Sequence, residues 1–195
     1  MIHAPGEEKR PRVPPGQHVT EKWPVLHHGP VPEIDLSRWT FRVFGLVANP
    51  FELTYEQFLA LPRAVSTSDV HCVTGWSRLD NTWEGVPARV LVEMARPLPQ
   101  ARFVMVHAEQ GFTANVPLDD LLREDVLLAT HHDGQPLSPE HGWPVRLVVP
   151  HLYFWKSAKW VNGLEFMEED RPGFWEQLGY HMYGDPWREQ RYWGD

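Results

Sequence analysis

The stretch DVHCVTGWS, residues 69–77, holds Cys72, the single cysteine of this 195-residue chain. A lone thiol is often packed as a small hydrophobic side chain, and it can also act as a nucleophile or a metal ligand. Neighbouring side chains of a strand point to opposite faces, so His71 is poorly placed to activate Cys72. A zinc site would need further soft ligands, whereas a metal held mainly by a cofactor needs only one protein thiolate. The residues alone leave these interpretations of Cys72 open.

A second candidate site lies in HGWPVRLVVPHLYFWKSAKW, residues 141–160, where polar side chains flank an apolar segment. These side chains are His141, Arg146, Lys156, Ser157 and Lys159. Arginine can bind a phosphate through two parallel hydrogen bonds, lysine supplies a point charge and serine adds a donor. In a chain of net charge -8, such a cluster predicts an anion site. The alternative is a set of surface charges on either side of a strand.

Short elements must position these groups. Apolar or alternating runs predict strands at 39–47, 64–73, 102–109, 126–130, 144–150 and 158–166. Helices are predicted at 53–62, where Thr54 and Gln57 can form a capping box, and at 86–95 and 117–125. Strands and short helices do not alternate regularly, which predicts an α+β fold with mixed or antiparallel sheets.

Composition limits the class of protein. The chain is 42% hydrophobic and 23% charged, as in ordinary globular proteins, and its acidic balance argues against nucleic acid as a partner. We find no signal peptide and no run of the ~20 apolar residues that span a membrane. One cysteine excludes an intrachain disulfide, so we expect a cytoplasmic protein.

One domain accounts for most of the chain. We predict a flexible N-terminal arm at 1–20, a single domain at 21–170 and an aromatic-rich C-terminal extension at 171–195 that packs on the same domain. Ten tryptophans indicate flat side chains that line a pocket or cover a core. The aromatic residues of the extension either cover the core or form a docking surface for a partner.

The ordered motifs resemble the molybdopterin-binding domain of the sulfite oxidase family. The resemblance is greatest to short stand-alone bacterial members, which are related to the catalytic subunit of the periplasmic methionine sulfoxide reductase. It runs from about residue 23 into the C-terminal extension. Its most specific parts are HCVTGWS and HGWPVRLVVPHLYFWKSAKW, and WPVLHHGPVP, FRVFGLV and LDNTWEGVP support it.

The resemblance implies a molybdenum–molybdopterin cofactor. In that family the cysteine of the first motif is the thiolate ligand to molybdenum, which places this role on Cys72. A soft thiolate suits a metal that is already bound to the sulfurs of a cofactor. The residues that the resemblance assigns to cofactor binding are Leu26, His27, His28, Cys72, Thr113, His141, Arg146, Lys156, Ser157 and Lys159.

The implied activity is oxygen-atom transfer to or from a small oxo-compound, such as a sulfoxide, an N-oxide or a sulfite-like anion. Animal and plant sulfite oxidases carry an arginine five residues after the cysteine, where this chain has Ser77 followed by Arg78. Arg78 is therefore the candidate catalytic cation, and sulfite is disfavoured as the substrate. We also expect an unidentified electron-transfer partner. The alternative is a non-catalytic domain that binds or carries molybdopterin.

Overall fold

Two β-sheets form the framework of the protein, which a computed structural model describes for residues 11–195. The strands are β1 (His18–Val19), β2 (Thr40–Gly45), β3 (Phe51–Thr54), β4 (Ala64–His71), β5 (Trp76–Pro87), β6 (Phe103–Ala108), β7 (Thr113–Pro117), β8 (Leu127–His132), β9 (Gln135–Pro136), β10 (Arg146–Val148) and β11 (Val161–Met167). The helices are α1 (Tyr55–Leu59), α2 (Ala88–Ala95), α3 (Leu118–Leu121) and α4 (Phe174–Gln177). Short 3₁₀ turns lie at Glu109–Gly111, Pro139–His141, Phe154–Lys156 and Pro186–Arg188.

Both sheets mix parallel and antiparallel pairs. The first has the order β1-β5-β8-β10, with β4 also paired to β5 and β9 to β8. The second has the order β3-β2-β11-β6-β7. β1 runs parallel to β5 and β2 parallel to β11, whereas the other pairs are antiparallel. The predicted α+β class with mixed sheets is confirmed.

Local sequence rules account for several elements. The Gln57 backbone N–H donates to Thr54 Oγ1 over 3.3 Å, and the Thr54 N–H donates to Gln57 Oε1 over 2.8 Å. The predicted capping box of α1 is therefore confirmed. α2 starts directly after Pro87 and buries Leu91 and Val92 against the core, as expected for an amphipathic helix.

β5 is a long strand that the sequence pattern did not predict. Its pairing with β4 shifts register between Ser68 and Val70, and such bulges break the regular alternation of side chains. Gly85 lets β5 approach β8 closely, because a Cβ there would lie 2.1 Å from the Leu128 carbonyl oxygen. The sequence of β5 is therefore typical of a segment rich in turns, although the residues form a strand within the sheet.

The apolar core has two parts. The larger part includes Phe41, Phe58, Leu91 and Leu164. The smaller part packs under the first sheet and contains the side chains of Val70, Cys72, Trp76, Trp83, Leu127, Ala129, Leu137 and Val148. Cys72 therefore lies at the border of a packed cluster of large rings.

Both terminal segments contact the body of the protein. Residues 1–10 of the predicted arm lie outside the described residues, and Arg12 donates to the Asp69 carboxylate over 2.6 Å. The backbone N–H of Tyr153 donates to the Gly184 carbonyl over 2.8 Å, which attaches the C-terminal extension. Among the described residues, helices of the length and apolarity needed to cross a membrane are absent.

Candidate active site

A cavity of about 540 Å³ lies between the turn after β4, the segment that precedes β11 and the C-terminal extension. This volume is in the range of small-molecule sites, about 300–1,000 Å³. Nine aromatic residues belong to its lining, namely Trp23, Trp76, Phe112, Phe154, Trp155, Trp160, Phe174, Trp175 and Tyr180. The polar groups of the lining come from separate elements.

Cys72 lies in the turn that joins β4 to β5. Its backbone N–H donates to the Trp76 carbonyl over 2.8 Å, and the Gly75 N–H donates to the Cys72 carbonyl over 3.0 Å. Gly75 has a φ of 96°, a left-handed conformation that suits glycine. The side-chain amide of Gln17 also donates to the Cys72 carbonyl, over 2.9 Å. The turn fixes Cys72 at the cavity wall.

The Cys72 thiol is held in its neutral form by its surroundings. Burial raises the pKa of Cys72, while the hydroxyl and backbone of Thr74 and the charge of Arg191 oppose this rise. Thr74 Oγ1 lies 3.1 Å from Cys72 Sγ. A metal binds the thiolate, so metal binding at Cys72 releases a proton.

His71 is directed away from this thiol. Its Nδ1 lies 2.8 Å from Ser77 Oγ, and its ring packs against Trp187. Burial lowers the pKa of His71 to about 4, so the imidazole is neutral at pH 7. The contacts agree with the expectation that His71 and Cys72 point to opposite faces.

Arg146 is a buried cation whose guanidinium lies among aromatic rings. Its Cζ is 4.4 Å from the ring centre of Phe154 and 5.4 Å from that of Trp23. Its Nη1 donates to the His141 carbonyl over 2.9 Å and its Nη2 to the Ser157 carbonyl over 2.8 Å. Burial lowers the pKa of Arg146 to about 9. The side chain still carries its charge at pH 7.

Lys159 lies on the same side of the cavity. Its Nζ donates to the Glu140 carbonyl over 2.6 Å and lies 3.3 Å from His27 Nδ1. Burial, and then the charge of Arg146, lower the pKa of Lys159 to about 7. Gly142 makes this packing possible, because a Cβ there would lie only 3.0–3.2 Å from atoms of Arg146 and Lys159.

Several residues assigned by resemblance meet at this cavity. Its lining includes Leu26, His27, His28, Cys72, Arg146, Ser157 and Lys159. The His27 ring packs against Trp160 at 5.5 Å, and the His28 ring packs against Phe174 at 5.1 Å. Ser157 Oγ accepts a hydrogen bond from the Val149 N–H over 2.9 Å, so this hydroxyl holds the backbone at 149 and 157 together.

Lys156 and His141 lie outside this lining. Lys156 is fully buried, and its Nζ lies 2.7 Å from Glu176 Oε1 and 2.9 Å from the Asn115 side-chain oxygen. Its observed contacts are with the protein rather than with the cavity. The His141 ring stacks on Trp23 at 3.9 Å, and its carbonyl holds Arg146 in place. His141 therefore contacts two residues of the lining, Trp23 and Arg146, although it does not line the cavity itself.

Arg78 and Thr113 also lie outside this lining. Arg78 Nη2 donates to the Asp133 carboxylate over 2.7 Å, and Arg78 also contacts Asn81. This pairing turns its charge away from Cys72. Thr113 starts β7 and lines a separate, shallow depression, while the preceding residue, Phe112, lines the main cavity. The structure does not bring Arg78 or Thr113 to the thiol.

The C-terminal extension contributes lining residues that the motifs did not identify. Phe174 and Trp175 come from α4, and Tyr180 follows it. Burial, followed by the neighbouring Tyr192, raises the pKa of Tyr180. Tyr180 and Cys72 line the same cavity. The aromatic composition of this segment was the only sequence signal for these three residues.

The fold and the cavity define a domain of the sulfite oxidase type. Residues 28–175 match the family described as the oxidoreductase molybdopterin binding domain. This match covers more than half of the chain, so the chain belongs to that family of sulfite oxidase-like enzymes, which use the molybdenum cofactor.

Individual relatives agree with this assignment. The chain is 56% identical over 182 residues to the oxidoreductase YuiH of Bacillus subtilis, covering 93% of this chain and 92% of that one. It is 28% identical over 165 residues to the protein-methionine-sulfoxide reductase catalytic subunit MsrP of Campylobacter jejuni, covering 76% of this chain and 55% of that one. The sulfane dehydrogenase SoxCD of Paracoccus pantotrophus has a similar structure, with a TM-score of 0.67 and 25% identity over 73% of this chain. This chain spans 41% of the SoxCD chain.

The residues of the cavity fit a molybdopterin cofactor. The buried Nε of Arg146 and Nε1 of Trp76 have no hydrogen-bond partner within residues 11–195. Buried donors of this kind are usually satisfied, so each can donate to a bound group. Together with Lys159 and the Cys72 thiol they provide donors, a second cation and a soft metal ligand. Molybdopterin has ring nitrogens that can accept from the donors, a phosphate that can pair with the cations and a metal that can bind the thiolate.

Proposed function

We propose that this enzyme transfers an oxygen atom to or from a small oxo-compound, with the Cys72 thiolate as the protein ligand to molybdenum. The observation that carries the proposal is the position of Cys72. Cys72 lines a cavity whose wall also includes Arg146, Lys159 and Trp76, and the buried Nε of Arg146 and Nε1 of Trp76 lack partners among residues 11–195. The single cysteine suffices because the cofactor supplies its own sulfurs.

The cofactor, when bound, supplies a metal that can exchange two electrons and an oxygen atom with the substrate. The chain's own residues then have three tasks. Thr74 and Arg191 favour the thiolate form of Cys72, against the effect of burial. Arg146 and Lys159 would hold the anionic end of the cofactor, and the aromatic residues of the lining would limit the access of water.

Tyr180 adds a phenol hydroxyl to the cavity that Cys72 also lines. A tyrosine titrates near ~10 and burial raises the pKa of Tyr180 further, so the phenol carries its proton at pH 7 and can donate a hydrogen bond to an oxygen of the substrate. We assign Tyr180 this role of orienting the oxo group.

The names of the similar proteins support sulfur chemistry in either direction. One is a methionine sulfoxide reductase subunit and another a sulfane dehydrogenase. Both directions require an electron donor or acceptor, and we propose that a separate redox protein serves this role here.

The metal content of the Cys72→Ala variant tests this proposal. Wild-type protein from cells that make the cofactor should carry about one molybdenum per chain by mass spectrometry, since one thiolate completes the site. Cys72→Ala should lose most of this metal, and Thr67→Ser, a change on the exposed face of β4, should keep it. Equal molybdenum in all three proteins would contradict the ligand role of Cys72.

A further inference from the structure

A continuous row of aromatic rings forms one side of the cavity. We name it the aromatic wall and define it as Trp155, Phe174, Trp175 and Tyr180. The ring centres of Trp155 and Tyr180 are 5.1 Å apart, those of Trp175 and Tyr180 are 5.2 Å apart, and those of Phe174 and Trp175 are 5.2 Å apart. All four residues line the same cavity as Cys72.

The aromatic wall is held in place by a buried ion pair. Glu176 lies within α4 and its Oε1 accepts a hydrogen bond from Trp155 Nε1 over 2.7 Å. The same oxygen is 2.7 Å from Lys156 Nζ, and both side chains are fully buried. The Glu176 carboxylate therefore connects α4, which contains Trp175, to the 3₁₀ turn that contains Trp155. The aromatic wall is thus already formed before a ligand binds.

The cations near the thiol are already engaged with other groups. Arg191 donates to the Val73 carbonyl and lies 5.0 Å above the Tyr153 ring. The arginine and lysine that line the cavity in the described part of the chain are Arg146 and Lys159. Both hold backbone carbonyls on the side that we assign to the cofactor. Because both cations are assigned to the cofactor, an anionic substrate would find no further arginine or lysine in the cavity lining within the described residues.

We propose that the substrate is a neutral oxo-compound with an aromatic ring, that is, an aryl sulfoxide or a heteroaromatic N-oxide. This inference rests on the proposed oxygen-atom transfer. The ring packs against Trp175 and Phe174, and the oxo group points to the Tyr180 hydroxyl. In the reductive direction the S–O or N–O bond breaks and the sulfur or nitrogen keeps its electron pair. The oxygen leaves as water after taking two protons, and a one-electron donor protein supplies the two electrons in succession.

Binding of sulfones, which mimic a sulfoxide, tests the substrate class without turnover. With the cofactor-loaded chain, calorimetry should give methyl phenyl sulfone an affinity about tenfold above that of dimethyl sulfone, since stacked rings add to apolar burial. Benzenesulfonate, which has the same ring and a negative charge, should bind more weakly than methyl phenyl sulfone. Tighter binding of benzenesulfonate, or equal binding of the two sulfones, would overturn the proposal.

Variants distinguish stacking on the aromatic wall from general hydrophobic binding as the cause of the preference for the phenyl compound. Trp175→Leu and Phe174→Leu should each reduce the preference for the phenyl compound, and Trp175→Phe should restore most of it. The control Trp193→Leu changes an exposed tryptophan of the same extension, 66% exposed, and should keep the full preference. If both leucine variants at the wall behave like this control, the inference is wrong.

Turnover distinguishes this inference from the proposed function. Methyl phenyl sulfoxide and dimethyl sulfoxide are supplied with reduced methyl viologen as the electron donor. A higher kcat/KM for the phenyl compound, lost in Trp175→Leu through KM, supports both proposals. Turnover without any preference overturns the aromatic substrate class alone. A third outcome is selective binding of the phenyl sulfone without turnover of either sulfoxide or of pyridine N-oxide. This outcome overturns the reductive form of the proposed function, whereas the inference that the site binds aromatic oxo-compounds remains supported.

Discussion

Individual residues at this site are arranged for a bound group rather than for the stability of the empty chain. Arg146 is buried among the rings of Trp23, Trp83 and Phe154, with one guanidinium nitrogen that has no partner in the described residues. Burial of an incompletely paired cation is unfavourable. A bound anion relieves this cost, so cofactor binding should stabilise the fold.

Lys159 gives a pH-dependent test of this arrangement. Its pKa falls to about 7 in the folded, cofactor-free chain, while an unfolded lysine titrates near ~10.4. Between these values the unfolded state binds more protons, so the contribution of Lys159 to stability rises with pH. Lys159→Met should therefore increase the free energy of unfolding more at pH 6 than at pH 10. Urea unfolding of the cofactor-free proteins at both pH values measures this difference.

Groups that do not interact with Lys159 titrate alike in wild type and variant and cancel in this comparison. The Lys159 charge also lowers the pKa values of His27, Glu140 and His141, so the variants His27→Gln and His27→Gln/Lys159→Met are compared in the same way. A stability difference that stays constant from pH 6 to pH 10 would show that Lys159 is not desolvated as the structure indicates. Removal of the charge should also weaken binding of inorganic phosphate to the cofactor-free chain at pH 6.

At the scale of elements, α4 depends on a contact that is distant in sequence. The 3₁₀ turn Phe154–Lys156 directs Lys156 into the protein interior, where it meets Glu176 of α4 and Asn115 of β7. The spacing of cations in the second motif indicated an anion site, and it could not show which cation would pair inside the protein. The carboxylate that decides this for Lys156 lies twenty residues further along the chain.

The Lys156–Glu176 pair predicts a large effect on stability. Lys156→Met leaves the buried Glu176 carboxylate without its counter-charge and should lower the free energy of unfolding by about 3–5 kcal/mol. The double variant Lys156→Met/Glu176→Gln removes both charges and should recover part of this loss. Denaturant unfolding of the cofactor-free proteins measures both values. A double variant no more stable than Lys156→Met would contradict the role of the ion pair.

Sequence rules predicted the elements whose signals are local. The capping box of α1 follows from Thr54 and Gln57, and the strand at 64–73 ends at His71 within two residues of its predicted end. β5 escaped prediction because bulges and Gly85 interrupt its pattern. Hydrogen bonding to both β4 and β8 stabilises β5 in spite of these interruptions. Contacts between strands that are distant in sequence cannot be predicted from a short stretch of residues.

The whole molecule brings distant motifs to one cavity. Cys72 and Arg146 were assigned to a site from separate stretches, and the structure places both in the same lining. Trp155 lies within the second motif and was expected at a pocket wall, whereas Phe174, Trp175 and Tyr180 were not predicted, because Tyr180 meets Trp155 through tertiary packing. The acidic chain, with a net charge of -8, thus places two of its cations in the cavity wall.

The central claim is that the Cys72 sulfur binds molybdenum. Because Cys72 is the single cysteine, selenocysteine incorporated in place of cysteine labels this position alone. X-ray absorption at the molybdenum edge of the loaded, labelled protein should then show a selenium atom in the first coordination shell, beside the sulfurs of the cofactor. Molybdenum bound at the wild-type level with sulfur and oxygen neighbours but no selenium would contradict the account.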